Sequence, residues 1–474
     1  FLEVFFDFLG RNFSNLYVRC PVIWAKGLTP FPYKRKGIFL HICATDCANI
    51  LDNLEFPCNI KTMSETIKNN SVDFNPEVLP EEFVKLYGGA KEDVQVYAGP
   101  ARINIIGEHI DYNGGKVFPT AIDKYMYVAI RKREDSKITY NDLKFPGTFS
   151  FDINDDFAFQ KENDYANYLN GILSIIKRRG FVFPCGFDVL MASNVPPAGG
   201  ISSSSALECG FAYAVSELFE FGISRKDIAL IGQQSEHEFM NVNCGIMDQY
   251  IIATGKVNTA ELLDCAKVQH EYVPLDLGDY RFVVMNTKKK RQLADSKYNE
   301  RRSQCEQGLA ELKAAAISLE GGKVSNTKDL PDLCSLSVEQ FNAVSSVIKD
   351  DVIRARVRHC VTENQRVLDA VEVLKKGDLK TLGDLLRASH KSLKEDYEVT
   401  GIELDTLADT ANAQDGCIGA RMTGAGFGGC AIALVHKDKI EQFIANVQKI
   451  YTEIVGHDAG FFACGTSDGV FRII

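Results

Sequence analysis

The strongest chemical signal in the sequence is a glycine- and serine-rich run at residues 197–206. It leads into an amphipathic pattern that predicts a helix from Leu207. Glycines let the backbone approach a ligand closely, and the N–H groups at a helix start bind phosphate. The run is not a Walker A loop, because no Lys occupies the Gly-Lys-Ser/Thr position. The alternative is a flexible Gly/Ser linker.

A second cluster of polar side chains lies between apolar runs and glycines. Glu108, His109, Asp111 and Asn113 fall within six positions. Their side chains can form hydrogen bonds with several hydroxyl groups at once. The alternative is a solvated turn with Asn-Gly at its tip.

Two further stretches have unusual composition. Asp248 lies among apolar residues, where a carboxylate is costly unless it is paired, and the acidic residues Glu236 and Glu238 precede it. A helix-capping Asp and a solvent-facing helix are the alternatives there. Residues 422–430 place four glycines within six positions before a predicted strand. That spacing indicates a close approach to a ligand or a tight structural bend.

The elements that must position these stretches follow from the hydrophobic pattern, which is a mixture of the strand and helix periods. Strands are predicted at residues 94–97, 125–131, 187–192, 282–285, 430–435 and 470–474. Helices are predicted from Leu207 and at residues 298–317, 351–375 and 379–394. The fold class is therefore α+β. We expect two domains, residues 63–280 and 281–474, that meet near residue 280.

Composition excludes several classes of protein. The 474 residues are 45% hydrophobic and 24% charged, which is typical of a globular chain, and there is no apolar stretch of transmembrane length. The 14 Cys are irregularly spaced, which favours a reducing cytosol over a disulfide scaffold. A net charge of -10 argues against a general nucleic-acid binder but leaves a local anion pocket open.

The first 62 residues differ from the rest of the chain. The chain begins with Phe1, the first Met is Met63, and residues 1–62 contain the only Trp. We interpret residues 1–62 as read-through of upstream sequence, with translation starting at Met63. A genuine extension, or a fragment of a longer chain, is the alternative. A peptide from residues 11–60 in the native protein would contradict the read-through hypothesis.

At its Gly-rich and polar motifs, residues 107–113, 197–206 and 422–430, the chain resembles the GHMP family of small-molecule kinases and, within it, the galactokinases. Residues 107–113 are similar to the galactokinase signature, residues 197–206 to the ATP loop, and residues 422–430 to the third, Gly-rich motif. The resemblance covers residues 78–474. It implies a ribosomal-protein-S5-like N-terminal domain and a ferredoxin-like C-terminal domain, with the active site between them.

The resemblance also implies a role for each matching residue. Asp248 matches the catalytic aspartate, and Arg102 matches the arginine that neutralises charge on the transferred phosphoryl group. Ser204 and Glu236 match the Mg²⁺ ligands. The residues that match sugar contacts are Glu108, His109, Asp111, Gly245 and Tyr298. The residues that match the triphosphate loop are Ala198, Gly199, Gly200, Ile201, Ser202, Ser203 and Ser204.

The implied activity is ATP-dependent phosphorylation of galactose at the C1 hydroxyl, with Mg²⁺ as cofactor and galactose and MgATP as partners. We expect a cytoplasmic monomer with no nucleic-acid or membrane partner. One alternative is the same chemistry on N-acetylgalactosamine, galactosamine or arabinose. A second is a non-catalytic regulator that binds sugar and ATP, and a third is a folded pseudo-enzyme. A chain that binds no MgATP in calorimetry would count against all of these readings except the pseudo-enzyme.

Several positions depart from the family pattern. The ATP loop reads Pro-Ala-Gly-Gly at residues 197–200, where the family commonly has Gly-x-Gly. Ala101 stands where the family has Gly, which would be strained if that position needed a positive φ. Ile110 replaces a Thr and removes a hydroxyl. On the adenine side, Tyr165 occupies the position of the usual Trp and Asn170 that of the usual Lys.

Overall fold

In the computed structural model of the chain, residues 74–196, 200–289 and 294–474 are described. The read-through hypothesis for residues 1–62 therefore lies outside the described residues, as do Ala198 and Gly199 of the ATP loop. Residues 74–474 belong to one compact unit. The division into 63–280 and 281–474 stays a prediction.

The first sheet has six strands and forms the centre of the N-terminal part. Its strands in chain order are β1 (Gln95–Asn104), β3 (Pro119–Lys132), β4 (Lys137–Asp142), β5 (Thr148–Asp152), β6 (Phe187–Ser193) and β13 (Phe471–Arg472). The spatial order is β13-β1-β3-β6-β4-β5, and the β4–β6 pair is the parallel one. The strands β1 and β6 are buried at nearly every position, because both faces of the sheet are covered.

A register shift between Pro100 and Ala101 interrupts the pairing of β1 with β3. Pro has no N–H to donate to the ladder, so a bulge is where a sheet accommodates it. Because a bulge re-aims the side chains that follow it, this irregularity sets the direction of Arg102, two residues after the proline. Ala101 itself is fully buried and keeps a negative φ, so the departure from Gly at this position causes no backbone strain.

Helices cover the first sheet. The helices of the N-terminal part are α1 (Leu79–Tyr87), α2 (Ala166–Arg178), α3 (Ser203–Leu218), α4 (Arg225–Glu238) and α5 (Met247–Thr254). Helix α3 lies against β1 and β3. A Cβ at Gly99 of β1 would come within 2.1 Å of the Ala206 carbonyl oxygen, so glycine allows this close packing. The contact fixes the start of α3 beside the part of β1 that carries Arg102.

A small third sheet joins β2 (Lys116–Val117), β7 (Thr259–Asp264) and β8 (Gln269–Pro274) in the order β2-β7-β8. It follows the polar segment at residues 107–115 on one side and α5 on the other. The pairing of β2 with β7 therefore holds the polar segment close to α5, the helix that carries Asp248.

The C-terminal part contains a four-stranded antiparallel sheet. Its strands are β9 (Tyr280–Asn286), β10 (Cys417–Thr423), β11 (Cys430–His436) and β12 (Gly460–Cys464), in the spatial order β10-β11-β9-β12. Its helices are α6 (Ala294–Ala315), α7 (Val338–Val344), α8 (Asp351–Lys375), α9 (Leu379–Glu395), α10 (Gly401–Asn412) and α11 (Ile440–Val455). This is the βαββαβ order of the ferredoxin-like fold, so the predicted architecture is confirmed.

The predicted elements exist, and most differ only at their ends. The predicted helix at 351–375 matches α8, and the predicted strand at 187–192 is one residue shorter than β6. The predicted strand at 94–97 continues to Asn104, because the buried residues that follow Tyr97 also pair with β3. The strand predicted at 470–474 is limited to Phe471–Arg472.

Candidate active site

An ion pair between Arg102 and Asp248 is the centre of the site. Arg102 Nε donates to Asp248 Oδ1 and Arg102 Nη2 donates to Asp248 Oδ2, both at 2.7 Å. This is the bidentate geometry that arginine forms with a carboxylate. Asp248 lies in the first turn of α5, where the helix dipole stabilises a negative charge. The Arg102 side chain is buried, whereas that of Asp248 is 29% exposed, so a substrate can reach the carboxylate.

The end of the Gly/Ser-rich run contacts the same pair. Arg102 Nη1 donates to the Gly200 carbonyl at 3.2 Å, and the Arg102 N–H donates to the Ile201 carbonyl at 3.3 Å. The Ser202 hydroxyl donates to Asp248 Oδ2. Ser202 precedes α3 with a φ of 62°, and Ser203 is the first residue of the helix. The helix start that was predicted to bind phosphate is therefore adjacent to Asp248.

Asp111 and Gly245 pack against each other next to this pair. A Cβ on Gly245 would lie 1.8 Å from Asp111 Oδ2. Burial, then repulsion from the charge of Asp248, raises the pKa of Asp111 to about 7. The ring centre of Tyr298 lies 5.3 Å from that of Tyr112. Burial raises the pKa of Tyr298 well above the ordinary value, so the Tyr298 hydroxyl stays protonated.

Glu108 is buried and connects the polar segment to the third Gly-rich motif. Its Oε1 accepts a hydrogen bond from the Gly424 N–H at 2.8 Å and lies 3.4 Å from Arg421 Nη1. Burial raises the pKa of Glu108, and the positive charges of Arg421 and then Arg102 oppose that shift. The third motif also approaches the ATP loop, since a Cβ on Gly424 would lie 2.8 Å from the Gly200 carbonyl oxygen.

His109 is 4% exposed and has a φ of 62°, an uncommon conformation for a residue other than glycine. Its Nδ1 lies 2.8 Å from the Tyr112 hydroxyl, and its Nε2 lies 3.2 Å from the Ala425 carbonyl oxygen. Burial and the neighbouring imidazole of His359 lower the pKa of His109 to about 3. The imidazole is therefore neutral at physiological pH.

Family models match three parts of the chain. The model described as the galactokinase galactose-binding signature matches residues 81–132, which include Arg102 and the polar segment. The GHMP kinases N terminal domain matches residues 167–256, and the GHMP kinases C terminal domain matches residues 370–453. These matches cover the ATP loop, Asp248 and the third Gly-rich motif.

Similarity over most of the chain points to the same family. The chain is 46% identical over 397 residues to the galactokinase of Streptococcus suis, a match that covers 83% of this chain and 98% of the relative. It is 43% identical over 394 residues to the galactokinase of Ligilactobacillus salivarius, again covering 98% of that relative. The chain belongs to the galactokinase family.

Solved structures agree with this family. The Lactococcus lactis galactokinase, crystallised as a complex with galactose, has a TM-score of 0.79 and 40% identity, and the match covers 84% of this chain and 99% of that one. A mevalonate kinase from Methanococcus jannaschii shares the fold with a TM-score of 0.55 at 18% identity. As the galactokinase family implies, the chain is an ATP-dependent sugar kinase of the GHMP type. No helix within the described residues is long and apolar enough to cross a membrane.

Ser204 and Glu236, which match the family's metal ligands, lie on α3 and α4, two helices that pack against each other. Ser204 is in the first turn of α3, and Glu236 is buried in the last turn of α4. The buried Glu208 is one turn after Ser204, and neither of its carboxyl oxygens makes a hydrogen bond of good geometry. Burial and then the charge of Glu236 raise the pKa of Glu208 well above its ordinary value.

Three buried residues that support the site had no signal in the sequence. Arg421 is fully buried, and its Nη1 also donates to the Asn104 and Ile105 carbonyls. Glu363 of α8 accepts from the Gly107 N–H at 3.0 Å. Burial alone would raise the pKa of Glu363, but the positive charge of Arg366 lowers it to about 2. These residues lie in regular elements far along the chain, so only the tertiary structure brings them to the polar segment.

The third unforeseen residue is Tyr397, which follows α9. Its hydroxyl lies 2.9 Å from the Tyr112 hydroxyl, and its ring centre lies 4.9 Å from that of His109. At the nearby departure from the family pattern, Ile110 is fully buried in the hydrophobic core. Its side chain therefore serves packing, and the hydroxyl of the usual Thr is replaced by apolar contacts.

Proposed function

We propose that the chain transfers the γ-phosphoryl group of ATP to the C1 hydroxyl of galactose, giving galactose 1-phosphate and ADP. The observation that carries this proposal is the bidentate pair of Arg102 and Asp248 at the point where the ATP loop, the polar segment and α5 converge. Phosphoryl transfer depends mainly on positioning and on charge stabilisation, and this arrangement offers both.

In this proposal Asp248 accepts the proton of the C1 hydroxyl. The C1 oxygen forms the new bond to the γ-phosphorus, the bond from phosphorus to the β–γ bridging oxygen breaks, and ADP leaves. The partial exposure of Asp248 and its fixed position at the helix start support this role. A general base must lie within hydrogen-bond reach of the proton that it takes, and a carboxylate held by two N–H donors is fixed in place.

Arg102 is proposed to stabilise the charge of the transferred phosphoryl group. Although burial lowers the pKa of Arg102, the Asp248 carboxylate outweighs that effect and raises it, so the guanidinium is always charged. Its three hydrogen bonds, to Asp248 and Gly200, hold the charge in a fixed orientation. A charge that needs no reorganisation during the reaction is the most effective kind of electrostatic stabilisation.

The sugar is proposed to bind against the polar segment. The residues assigned to its hydroxyls are Glu108, His109, Asp111, Gly245 and Tyr298. Their support is proximity: Asp111 packs on Gly245, and the His109 ring centre lies 5.5 Å from that of Tyr298. The triphosphate is proposed to bind to the run at residues 198–204 and to the N–H groups at the start of α3.

Mg²⁺ is proposed to be held by Ser204 and Glu236. The residues present fit the ion, because hydroxyl and carboxylate oxygens are the donors it prefers. The carboxyl group of Glu208, whose oxygens make no hydrogen bond of good geometry, also interacts with the charge of Glu236. Within the part of the chain that is described, no three His, Cys, Asp or Glu side chains form a metal cluster by themselves. When bound, the ion would neutralise phosphate charge, with phosphate oxygens and waters completing its coordination.

The proposal includes a cytoplasmic monomer in which the site lies between domains 63–280 and 281–474. Contacts across residue 280 support that location: the Thr423 hydroxyl donates to the Asn104 carbonyl at 3.1 Å, and the Gly424 N–H donates to Glu108. A gel-filtration mass of one chain would support the monomer.

The experiment that tests the proposed function measures ADP release by the full chain with MgATP. Parallel reactions contain galactose, N-acetylgalactosamine or no sugar, and phosphorus NMR identifies the phosphorylated position. We expect galactose-dependent release and a C1 phosphate. Release with N-acetylgalactosamine alone would assign a different substrate. Binding of sugar and MgATP without turnover would identify a regulator, and a folded chain that binds no MgATP would be a pseudo-enzyme.

A further inference from the structure

A chain of hydrogen bonds leads from His109 into the helices of the C-terminal part. The His109 Nδ1 contacts the Tyr112 hydroxyl at 2.8 Å, and the Tyr112 hydroxyl contacts the Tyr397 hydroxyl at 2.9 Å. Beyond Tyr397, the Cys305 sulfur lies 3.1 Å from its hydroxyl oxygen. We call Tyr397, Tyr112 and His109 the tyrosine relay.

The Ala425 carbonyl fixes the direction of every bond in the relay. A carbonyl oxygen only accepts, so His109 Nε2 must carry the proton that points to it at 3.2 Å. A neutral imidazole has one N–H, which leaves Nδ1 as an acceptor. Tyr112 must therefore donate its hydroxyl proton to His109, and Tyr397 must in turn donate to the Tyr112 oxygen.

The surroundings keep the relay in that state. Burial raises the pKa values of Tyr112 and Tyr397 well above the ordinary value, so both hydroxyls keep their protons. Tyr397 is held at the end of α9, where its carbonyl accepts from Arg301 Nε at 2.8 Å and its ring centre lies 4.6 Å from that of His359. His109 needs such support because its backbone has a positive φ.

We propose that Tyr397, acting through Tyr112, is a positioning residue that fixes the tautomer and the orientation of His109 for sugar binding. The relay presents the Nε2–H of His109 as a donor, and the rather long bond to Ala425 is one that a sugar hydroxyl can share or replace. This inference rests on the proposed role of His109 as a sugar contact. Tyr397 itself touches neither reacting group, since its hydroxyl partners are Tyr112 and Cys305.

The direction of the relay is tested without turnover. In the full chain labelled with ¹⁵N-histidine, long-range ¹H–¹⁵N NMR reports which ring nitrogen of His109 carries the proton, with His109→Gln used for assignment. We expect a protonated Nε2 and an unprotonated Nδ1 at pH 7.5. A protonated Nδ1 would overturn the proposal, whether or not the chain phosphorylates galactose.

The coupling is tested by a double-mutant cycle of Tyr112→Phe and Tyr397→Phe. We expect each variant to raise the KM for galactose by about threefold to tenfold, because each removes a donor from the relay. The double variant should match Tyr112→Phe alone, with kcat and the KM for ATP within about twofold of the wild type. If the increases in the KM for galactose of the two single variants multiply in the double variant, the relay is refuted. The galactose kinase activity measured for the wild-type chain is not affected by that result.

A matched control is Tyr87→Phe. Its hydroxyl makes two hydrogen bonds, to Asn141 Oδ1 at 2.8 Å and the Val189 carbonyl at 2.7 Å, and lies away from the relay. It should leave the KM for galactose unchanged. If the Tyr397→Phe chain does not fold, the tautomer of the wild-type His109 still decides the proposal.

Discussion

The carboxylate of Asp111 lies directly against the α-carbon of Gly245. A methyl group built on Gly245 would come within 1.8 Å of Asp111 Oδ2 and 2.2 Å of its Cγ. The two residues belong to separate segments of the chain, the polar run after β1 and the turn before α5. The contact thus joins Asp111, a residue proposed to bind the sugar, to the segment that carries Asp248.

Gly245→Ala should therefore impair sugar binding. The added methyl group must displace the Asp111 carboxylate, since real Cβ contacts this short do not occur. We expect the KM for galactose to rise at least about tenfold, which corresponds to about 1.4 kcal/mol, while the KM for ATP changes little. Steady-state kinetics with each substrate varied in turn measures both.

The matched control for this change is Gly460→Ala on β12. There the nearest atom to the new methyl group is the flexible end of Lys288, at 3.2 Å. The KM for galactose should stay at the wild-type value. An equal rise in the KM of both glycine variants would mean that the Asp111 contact does not control sugar affinity.

Sugar binding should depend on pH through Asp111. Burial and the charge of Asp248 raise its pKa to about 7, so the carboxyl is protonated below that pH and ionised above it. A protonated carboxyl is a poorer acceptor for sugar hydroxyls, so kcat/KM for galactose should rise with pH and level off above 7. At pH 6 it should be about tenfold below the plateau.

The Asp111→Asn variant identifies the group responsible for that pH profile. Because an amide does not titrate, its kcat/KM should be low and should show no inflection near pH 7. A profile that keeps the wild-type inflection in this variant would assign the titration to another group.

A buried carboxyl group away from the site should make the free energy of unfolding depend on pH. Glu261 is fully buried in β7 and accepts from the Thr254 hydroxyl at 2.9 Å. Burial raises its pKa to about 8. The unfolded chain ionises this group near its ordinary pKa, so the folded chain loses stability as pH rises from that value to 8. The loss should be about 4 kcal/mol.

Urea unfolding at pH 5 and pH 8 measures this effect. In the Glu261→Gln variant the free energy of unfolding should change less between the two pH values than in the wild type, because the amide does not titrate. The variant should therefore be the more stable chain at pH 8. Equal pH dependence in the two chains would exclude Glu261 as the cause.

Substitutions of Glu108 and Arg421 should have strongly non-additive effects on the free energy of unfolding. Arg421→Met leaves the Glu108 carboxyl buried without its arginine, and breaking a buried pair in this way costs about 3 to 5 kcal/mol. Adding Glu108→Gln removes the unpaired charge and should restore part of that loss. Chemical denaturation of both single variants and the double variant gives the coupling energy. Additive losses would indicate that the two residues contribute independently.

Local patterns were sufficient to predict the elements but not their mutual contacts. Helix α8 follows from hydrophobic periodicity, because its buried positions repeat at the helix period. Strand β6 follows instead from a short run of almost entirely apolar residues, and six consecutive positions of that run are buried. The motifs stood out by composition, since glycines and clustered polar residues interrupt those periods. The alternative of a solvated turn does not describe Glu108 and His109, which are buried.

Residues such as Glu363, Arg421 and Tyr397 could not be predicted. Glu363 and Arg421 lie in regular elements, where a charged residue is normally read as part of a solvated face, and both are fully buried. Their partners include the Gly107 N–H and the Asn104 carbonyl, which lie more than 250 positions away in the chain. Such pairings depend on how the C-terminal helices and sheet pack on the N-terminal motifs, and no local pattern encodes them.

The most direct test of the central claim compares the wild-type chain with Asp248→Asn. Galactose-dependent ADP release measures transfer, and calorimetry measures galactose binding. We expect the variant to bind galactose within about threefold of the wild type and to lose at least about a thousandfold in kcat, because the acceptor for the hydroxyl proton is gone. A variant that keeps most of the wild-type rate would contradict the assignment of Asp248 as the catalytic residue.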